Sequence, residues 1–357
     1  MPLPPGAVIG NRYTVQQQLG AGGGGDAYLV HDAHENDVAV LKLLTALRPG
    51  AEWIEAEALR HLADEHILPI RNADVDSGQR YIVTAFAQHG TVEGLIQNTS
   101  GCGMDVGRVV TLIRDACHGI DRAHRARLLH NDIKPPNLFL NDQGECLVGD
   151  FGSASLIPVG ETTTVPGGAT PAIAAPEVAA GIGTAASTAS VRSDIYSLGA
   201  TADWCLAGER AYAFPPATNL QERFAIVAAG PPPHSLRDRA PHIPLGVAKA
   251  VERAMSRDPA NRFATVLEFA HALGARPAAS RKWQRTNQHA GHIGCWRGEP
   301  RDGGSTYILC VEQTTQPGRL DITTRHATSN SRVTAGCRSA VTEAGCASAL
   351  RGIIKKL

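Results

Sequence analysis

The sequence predicts an α+β fold with a small β-rich N-terminal lobe, a mainly helical second lobe and a small C-terminal extension. Strand-like and helical patterns alternate over residues 12–83, whereas apolar residues recur at helical spacing from residue 106 onward. A chain of 357 residues also exceeds the usual size of one hydrophobic core. With 43% hydrophobic and 19% charged residues, the composition is that of a globular protein and excludes disorder throughout.

The secondary-structure elements follow from these periodicities in chain order. The first lobe is predicted as a small sheet with one helix, and its strands cover residues 13–19, 27–31, 38–43, 67–70 and 81–83 around a helix at 52–63. The second lobe is predicted to be helical from residue 106, with further helices at 194–206, 220–228, 245–256 and 265–273.

The composition also predicts where the domains end. The two lobes cover about residues 10–87 and 88–275 of a first domain that spans 1–275. Residues 276–288 are polar and lack apolar periodicity, so they are predicted as a linker. The remaining residues, 289–357, form a small basic domain of unknown function, with a hairpin of 305–312 and 320–324 and a helix within 340–357.

The formal net charge of zero hides an asymmetry between these domains. Residues 1–275 contain 21 Lys+Arg and 29 Asp+Glu, whereas residues 276–357 contain 13 and 5, which gives about −8 followed by +8. The basic tail therefore has a predicted partner of its own, which could be nucleic acid, an anionic surface or the acidic first domain. A solvated tail without a partner is the alternative.

The cysteines and the hydropathy predict the compartment. Eight cysteines are spread along the chain without a CxxC pair, which is typical of free thiols in a reducing compartment. The N-terminal residues lack a basic start followed by an apolar stretch, and no window of 18 apolar residues exists. We therefore predict a cytoplasmic protein without a transmembrane segment.

A glycine-rich segment between the first long strands is a candidate phosphate-binding loop. Gly20, Gly22 and Gly25 have G-x-G-x-x-G spacing. Glycines allow close approach of the backbone to phosphates and offer N–H groups to them. The same spacing also occurs in dinucleotide-binding folds and in flexible loops, although a predicted strand rather than a helix follows it here.

Lys42 and Glu55 form a candidate ion pair near this loop. Lys42 ends the strand-like run Val-Ala-Val-Leu-Lys, where its ammonium would reach phosphates if a carboxylate held it. The rival carboxylate, Glu57, lies on a different helical face. Leu59 and Leu62 continue the face of Glu55 as an apolar stripe, which favours Glu55. Two solvated surface residues are the alternative.

Two motifs in the middle of the chain are more specific. His130-Asn-Asp-Ile-Lys-Pro-Pro-Asn137 is followed, after twelve intervening residues, by Asp150-Phe-Gly152. In this order and at this spacing they resemble the motifs of the protein kinase family, in its bacterial eukaryotic-type (Hanks-type) serine/threonine branch. The resemblance implies a two-lobed protein-kinase fold for residues 1–275. It also implies a non-specific serine/threonine protein kinase of signalling or regulation, with protein substrates and autophosphorylation.

The resemblance further implies roles for individual residues. Asp132 would be the base that orients the substrate hydroxyl, and Lys134 would steady the γ-phosphate. Asn137 and Asp150 would hold Mg²⁺, with Mn²⁺ as an alternative ion. ATP would contact a set of residues that surround its adenine and phosphates: Leu19, Gly20, Gly22, Gly25, Ala27, Val40, Lys42, Thr84, Ala85, Ala87 and Phe139.

Three later matches extend the resemblance to the substrate-binding lobe. Ala175-Pro-Glu177 closes an activation segment, and Asp194 opens a D-x-x-x-x-G helix start. Arg262 is expected to form an ion pair with Glu177. Thr170 is expected to lie near Asp132. Because such parts bind a protein, small-molecule kinases fit less well. A lysine two residues after the catalytic aspartate favours serine and threonine over tyrosine as acceptors.

Asn131 departs from the family pattern, which usually has arginine at this position to pair with a phosphate on the activation loop. A neutral amide cannot form that ion pair. The sequence therefore predicts activity that does not depend on phosphorylation of the loop through this residue, although residues 162–164 are threonines.

The tail contains a weak metal-binding pattern. His289, His292 and Cys295 follow one another at three-residue steps, and Cys310 or a later cysteine could complete the set. Structural zinc sites favour tight C-x₂₋₄-C pairs, which are absent from this sequence. Zinc is therefore the less favoured interpretation of this segment.

Two other functions compete with an active kinase. A pseudokinase or scaffold would bind nucleotide without turnover, and Asn131 and the excess of glycines give this alternative slight support. A targeting or nucleic-acid-binding protein would act through the basic tail. That tail lacks aromatic residues interleaved with its basic ones, such as Arg297, Arg301, Lys355 and Lys356.

Overall fold

A computed structural model of the chain describes residues 2–357 apart from 23–24, 45–52, 54, 158–162, 165–169, 183–187, 213, 215, 217, 230–234, 275–280, 288 and 290. The described residues form a β-rich N-terminal lobe, a helical lobe and a separate β-sheet domain near the C-terminus.

The N-terminal lobe is an antiparallel sheet with one short helix. Its elements are β1 (Val8–Ile9), β2 (Tyr13–Gly22), β3 (Gly25–Asp32), β4 (Asp37–Leu43), α1 (Glu55–Arg60), β5 (Ile70–Asp76) and β6 (Gln79–Ala85). The strand order is β1-β2-β3-β4-β6-β5. Side chains alternate between the two faces of each strand, so one face is apolar and buried. Its members are Tyr13, Val15, Tyr28, Val30, Ala39, Leu41, Tyr81 and Val83.

The second lobe is mainly helical, as the sequence predicts. Its helices are α2 (Val92–Gln97), α3 (Val106–Arg125), α4 (Pro176–Gly181), α5 (Val191–Ala207), α6 (Leu220–Ala229), α7 (Leu236–Arg239), α8 (Leu245–Ala254) and α9 (Val266–Gly274). Short strands of two or three residues accompany them: β7 (Leu128–Leu129), β8 (Leu138–Leu140), β9 (Cys146–Val148), β10 (Ser155–Leu156), β11 (Thr163–Thr164) and β12 (Thr188–Ala189). Helix α5 is buried along almost its whole length and packs against α3 and α8.

The C-terminal domain is a five-stranded antiparallel sheet covered by a helix. It contains β13 (Arg281–Thr286), β14 (Gly294–Pro300), β15 (Tyr307–Gln313), β16 (Arg319–His326), β17 (Arg338–Thr342) and α10 (Glu343–Lys356). Its core is formed by Trp283, Trp296, Leu309, Val311, Leu320, Ile322, Leu350 and Ile353. The predicted hairpin is confirmed by the pairing of β15 with β16.

The linker prediction for residues 276–288 is wrong for residues 281–286. These residues form β13, which pairs with β14 along its length. Only Trp283 of this strand is buried, at 6% exposure. A strand with one inward apolar side chain shows no alternation in its sequence, so the pattern does not reveal it.

The C-terminal domain contacts the helical lobe through charged and polar side chains. Lys282 Nζ lies 3.3 Å from Asp105 Oδ2, and Arg351 Nη1 lies 3.0 Å from Asp238 Oδ1. Asn287 Nδ2 donates a hydrogen bond of 3.1 Å to the carbonyl of Ser100. Of the partners considered for the basic tail, the acidic first domain is therefore the one that this structure brings into contact.

Two further findings concern the cysteines and the helices. All eight cysteines are free thiols. Among the described residues, no helix combines the length and the apolar character needed to cross a membrane.

His242 lies at the contact between the two domains and supports a prediction about pH. It accepts a hydrogen bond of 3.3 Å from Trp296 Nε1 through Nδ1. Burial, with a smaller contribution from nearby Arg285, lowers the pKa of His242 to about 4. In the unfolded chain the pKa returns to about 6.5, so protonation there favours unfolding as the pH falls. The stability contributed by neutral His242 is complete above about pH 6.5 and is lost progressively towards pH 4.

We therefore expect the free energy of unfolding to fall by about 2 kcal/mol more in the wild type than in His242→Asn when the pH is lowered from 7 to 5. Asparagine keeps an acceptor for Trp296 but does not titrate. Urea denaturation at both pH values measures the difference. His89→Asn, at an exposed site, is the control and should behave as the wild type. Equal pH dependence in His242→Asn and the wild type would contradict the assignment.

Candidate active site

Lys42 and Asp150 meet across the cleft between the two lobes. Lys42 lies near the end of β4, and its Nζ is 2.6 Å from each carboxylate oxygen of Asp150. Asp150 has left-handed backbone angles, with φ 59° and ψ 59°. Such a conformation is uncommon for a residue with a side chain and recurs at functional sites. The structure thus brings together two predicted site residues that are 108 positions apart.

The predicted pair of Lys42 with Glu55 remains a prediction. Glu55 is the first residue of α1, but its side chain lies outside the described residues. Leu59 and Leu62 are 1% and 2% exposed, which confirms the apolar stripe used to choose Glu55.

The glycine-rich segment forms the hairpin of β2 and β3. Gly20 lies opposite Ala27 and Gly22 opposite Gly25, while residues 23–24 lie outside the described residues. Gly25 has a φ of +109°, and a Cβ at this position would lie 1.9 Å from the carbonyl oxygen of Leu43. Only glycine fits this position, because any side chain would overlap the backbone of β4.

Predicted adenine-site residues share the face of the sheet that faces away from its buried core. Ala27 is paired with Lys42, and Val40 is paired with Thr84. Directly opposite residues in an antiparallel sheet point to the same side. Their side chains are only partly buried, unlike those of the core face. The register therefore places Ala27, Val40 and Thr84 beside the lysine that contacts Asp150.

The remaining predicted adenine-site residues border this face. Leu19 is 44% exposed near the end of β2. Ala85 ends β6, and Ala87 follows it in the connection to the second lobe. Phe139 lies in β8 of the second lobe, and a Cβ added to Gly149 would be 2.6 Å from its ring. The ring thus packs closely on the backbone that precedes Asp150.

Asp132 is the centre of a compact group of polar contacts. Its Oδ1 accepts a hydrogen bond of 3.0 Å from the Thr170 hydroxyl, and its Oδ2 lies 2.7 Å from Lys134 Nζ. Lys134 also donates to Thr170 Oγ1, at 3.1 Å. The Asn137 amide donates to the backbone oxygen and to Oδ2 of Asp132, at 2.7 and 3.1 Å. The expectation that Thr170 lies near Asp132 is confirmed.

A backbone contact links Asn137 to the residue that precedes Asp150. Gly149, which precedes Asp150, donates its N–H to the backbone oxygen of Asn137 at 2.9 Å. Asn137 is only 4% exposed, so its orientation is fixed by the surrounding protein. The two residues predicted to hold a metal ion are therefore positioned by the same backbone contact.

The buried Asp194 holds the segment that carries Asp132. Its carboxylate accepts hydrogen bonds of 3.0 Å from the N–H groups of His130 and Asn131. His124 Nε2 lies 2.8 Å from the same carboxylate. Burial by itself would raise the pKa of Asp194, but the hydrogen bond and charge of His124, followed by His130, lower it below its usual value. The carboxylate therefore stays ionised inside the protein.

Asn131 occupies the position at which the family has arginine. Its φ is 65°, a left-handed conformation that asparagine adopts more readily than most residues. Its Nδ2 donates to the carbonyl of Ser153 and to the hydroxyl of Ser155, at 2.9 and 2.8 Å. The side chain therefore fixes the segment just after Asp150 through neutral hydrogen bonds.

Arg262 and Glu177 form the predicted ion pair. Two guanidinium nitrogens lie 2.7 Å from the two carboxylate oxygens, and Arg262 is 1% exposed. The guanidinium also donates to the carbonyls of Arg192 and Ser256, both at 2.8 Å. The end of the activation segment is thus fixed to the segment between α8 and α9.

Sequence reasoning missed the part played by His124 and the hydrogen bond of 2.9 Å between the His130 Nε2 atom and the Gly149 carbonyl. The sequence also indicates only that Asn131 lacks the positive charge of the arginine usual in the family. It does not indicate that the Asn131 side chain donates hydrogen bonds. Each of these contacts joins residues far apart in sequence, so no local spacing indicates them. A histidine six residues before His130 is the only local feature that could draw attention to His124.

Comparison with known proteins gives consistent matches for the two-lobed part of the chain. A family profile described as "Protein kinase domain" matches residues 13–273. Serine/threonine-protein kinase PknJ of Mycobacterium tuberculosis is 32% identical over 286 residues, covering 76% of this chain and 46% of PknJ. PknK of the same organism is 32% identical over 279 residues, covering 76% of this chain and 24% of PknK. The chain thus matches less than half the length of either relative.

A solved structure has the same fold over the same part. The crystal structure of the Mycobacterium tuberculosis PknI kinase domain superimposes with a TM-score of 0.58 and 25% sequence identity. The match covers 76% of this chain and 99% of that structure. The C-terminal sheet accounts for most of the part of the chain that remains.

Loss of the Arg262 guanidinium is expected to destabilise the protein strongly. Arg262→Ala would remove a buried guanidinium and leave the Glu177 carboxylate, which is 24% exposed, without its partner. Removing one member of a fully buried pair costs about 3 to 5 kcal/mol, and the partial exposure of Glu177 places the expected loss at the lower end, about 3 kcal/mol. Arg125→Ala is the matched control, because Arg125 pairs with Asp121 at the surface and is 70% exposed. The control should lose less than about 1 kcal/mol. Chemical denaturation measures both, and similar losses in the two variants would refute the prediction.

Proposed function

The chain belongs to the protein kinase family, and on that premise we propose that it transfers the γ-phosphate of ATP to serine and threonine hydroxyls of proteins. The observation that carries the proposal is the position of Asp132. Its carboxylate accepts a hydrogen bond from the Thr170 hydroxyl while Lys134 contacts both residues. A carboxylate held in this way suits the orientation of an alcohol nucleophile.

The contacts of Asp132 support distinct roles for its neighbours. The Thr170 hydroxyl makes the hydrogen bond that an acceptor hydroxyl would make with the base. Lys134 brings a positive charge within 2.7 Å of Asp132 Oδ2, where it would stabilise negative charge on a transferring phosphoryl group. Asn137 donates to the same carboxylate and keeps it in one orientation. We therefore assign Asp132 as base and Lys134 as phosphate-binding cation.

The donor set at Asn137 and Asp150 fits Mg²⁺, with Mn²⁺ as an alternative. Both residues supply oxygen ligands, which these hard cations prefer. The Asn137 amide nitrogen is committed to Asp132, so its oxygen is the atom that would contact the ion. The Asp150 carboxylate already contacts a cation, the Lys42 ammonium. A bound ion would neutralise phosphate charge, and Lys42 would then be available to the phosphates of the nucleotide.

The face of the N-terminal sheet that lies opposite its buried core, which we call the open face, supports the proposed ATP pocket. Ala27, Val40 and Thr84 form a partly exposed apolar surface next to Lys42. Phe139 lies in β8 of the second lobe, against the backbone of Gly149 that precedes Asp150, and we assign it to the other side of the adenine. An adenine between these surfaces would put its phosphates below the β2–β3 hairpin, whose glycine-rich backbone would offer N–H groups to them. Signalling through phosphorylation of a protein substrate is part of the same proposal.

The proposal is tested with Asp132→Asn. Phosphate transfer from ATP with Mg²⁺ to the chain itself and to a generic basic protein should fall by about 10²- to 10⁴-fold, because the amide cannot act as a base. Nucleotide affinity should change little. Asp142→Asn, at an exposed residue that is 83% accessible, is the matched control and should retain wild-type turnover.

The outcome also separates the proposal from a pseudokinase. Phosphoserine or phosphothreonine formed by the wild type, and not by Asp132→Asn, would support catalysis. If the wild type bound nucleotide without transferring phosphate, the chain would act as a nucleotide-binding scaffold instead.

Activation-loop phosphorylation is expected to be dispensable. Asn131 contacts Ser153 and Ser155 through neutral hydrogen bonds and offers no charge to a phosphate. A chain with alanine at residues 162, 163 and 164 should therefore keep turnover within about threefold of the wild type. Thr170→Ala is the contrasting variant, since it removes the hydroxyl bound to Asp132 and should reduce turnover. Loss of turnover in a folded triple-alanine chain would show that the loop is regulated by phosphorylation.

A further inference from the structure

Four side chains of the C-terminal domain converge on one point, far from the candidate active site in sequence. We call them the His/Cys cluster: His289, His292, Cys295 and Cys310. One ligand atom from each, a histidine nitrogen or a cysteine sulfur, lies within 4.8 Å of the others. Two thiols and two imidazoles are a ligand set used by tetrahedral zinc sites.

The separations between these atoms fit a tetrahedron around one ion. His289 Nδ1 is 3.2 Å from Cys310 Sγ and 3.6 Å from Cys295 Sγ. His292 Nδ1 is 3.5 Å from Cys295 Sγ. With Zn–S of about 2.3 Å and Zn–N of about 2.0 Å, the nitrogen–sulfur edges of a regular tetrahedron are about 3.5 Å. The cluster therefore has the dimensions of a zinc site.

The fold explains how distant residues meet here. Cys295 and Cys310 are directly opposite each other on β14 and β15. The two histidines lie in the connection between β13 and β14, and the N–H of Ile293 in this connection donates to the Val311 carbonyl at 2.9 Å. The sequence indicates these residues only as a weak pattern, because the second cysteine lies 15 residues after the first and meets it through strand pairing, not through a tight C-x₂₋₄-C pair. The convergence of the four side chains reverses the earlier preference against zinc.

The surroundings of the cluster fit a bound cation. His292 uses Nδ1 towards the cluster, and its Nε2 lies 3.8 Å from Glu312 Oε1. A carboxylate behind a metal-binding histidine is a common arrangement that orients the ring. Glu312 is itself oriented by a hydrogen bond of 3.1 Å from the Thr323 hydroxyl. The carboxylate thus lies on the side of the His292 ring that faces away from the cluster.

Burial distinguishes the two sides of the cluster. Cys295 and Cys310 are 1% and 5% exposed and pack with Ile308, on the face of the sheet opposite its main core. His289 is exposed and His292 is partly exposed, so an ion could enter from the histidine side. Buried sulfur ligands favour zinc over the hard cation Mg²⁺, which prefers oxygen.

We propose that the His/Cys cluster binds one Zn²⁺ ion that joins the β13–β14 connection to the β14–β15 strand pair. The ion would stabilise the C-terminal domain and the contact made by the same connection, where Asn287 bonds to Ser100 of the helical lobe. Binding releases protons from the two thiols to solvent and involves no redox change. The role is structural, since protein ligands occupy all four positions.

The first test uses the full chain, treated with EDTA under reducing conditions and titrated with Co²⁺ and then Zn²⁺. The expected result is one Co²⁺ per chain, with thiolate-to-metal absorption and the visible bands of a tetrahedral ion, and displacement by Zn²⁺. The proposal is overturned by uptake below one ion per chain, by absorption without thiolate ligation, or by a disulfide between Cys295 and Cys310. If only thiol–imidazole hydrogen bonds joined the four side chains, metal uptake would stay below one ion per chain.

Variants then assign the ligands. Cys310→Ser should lose the thiolate absorption and tight Zn²⁺ binding, whereas Cys346→Ser, in α10 and outside the cluster, should titrate as the wild type. Glu312→Gln keeps all four ligands and should weaken Zn²⁺ binding by about 10- to 100-fold. Wild-type affinity in Cys310→Ser would refute the site. If that variant does not fold, the wild-type titration and Glu312→Gln still decide the question.

Discussion

The buried carboxylate of Asp194 is the constraint on which the arrangement of the candidate active site depends. A charge with 1% exposure is costly unless hydrogen bonds satisfy it. Here the bonds come from the backbone of His130 and Asn131 and from the His124 side chain. Asp194 lies in α5, and its two backbone donors lie in the segment that carries Asp132. The hydrogen bonds that stabilise the Asp194 carboxylate therefore also fix the conformation of that segment. A helix that is buried along almost its whole length thereby determines the position of the polar segment that carries Asp132.

The other site contacts extend outward from this fixed segment. His130 reaches the Gly149 carbonyl, and Asn131 reaches Ser153 and Ser155, so both sides of Asp150 are tied to it. Asp150 in turn contacts Lys42 of the other lobe. A series of short contacts therefore connects the core of the helical lobe to the open face of the N-terminal sheet. Such a connection keeps the Asp132 carboxylate in a fixed position relative to Asp150 and Lys42, which the proposed phosphoryl transfer requires.

The C-terminal domain is attached to the helical lobe by contacts of a different kind. They combine ion pairs at the surface with one buried hydrogen bond between Trp296 and His242. The opposite charges of the two domains account for the ion pairs, which are individually weak in water. The buried bond has the directional specificity that the ion pairs lack. The basic character of this domain is thus used in part within the molecule.

Hydrophobic periodicity was enough to predict the two lobes and the longer helices of the second lobe, α3, α5, α6, α8 and α9, but not the short helices α2, α4 and α7. Short motifs were enough to predict the site residues, because a motif, like a period, is a local property of a chain. Asp132, Asn137 and Asp150 could be named on that basis, as could the Arg262–Glu177 pair from the family pattern. The fold was needed to show that His124 supports Asp194 and that residues 281–286 form β13 where a linker was predicted. It was also needed to select Cys310, among the cysteines that the sequence left open, as the one that meets His289, His292 and Cys295. The physical reason is common to all three. Each depends on the pairing of groups distant in sequence, and such a pairing leaves no period or fixed spacing in the chain.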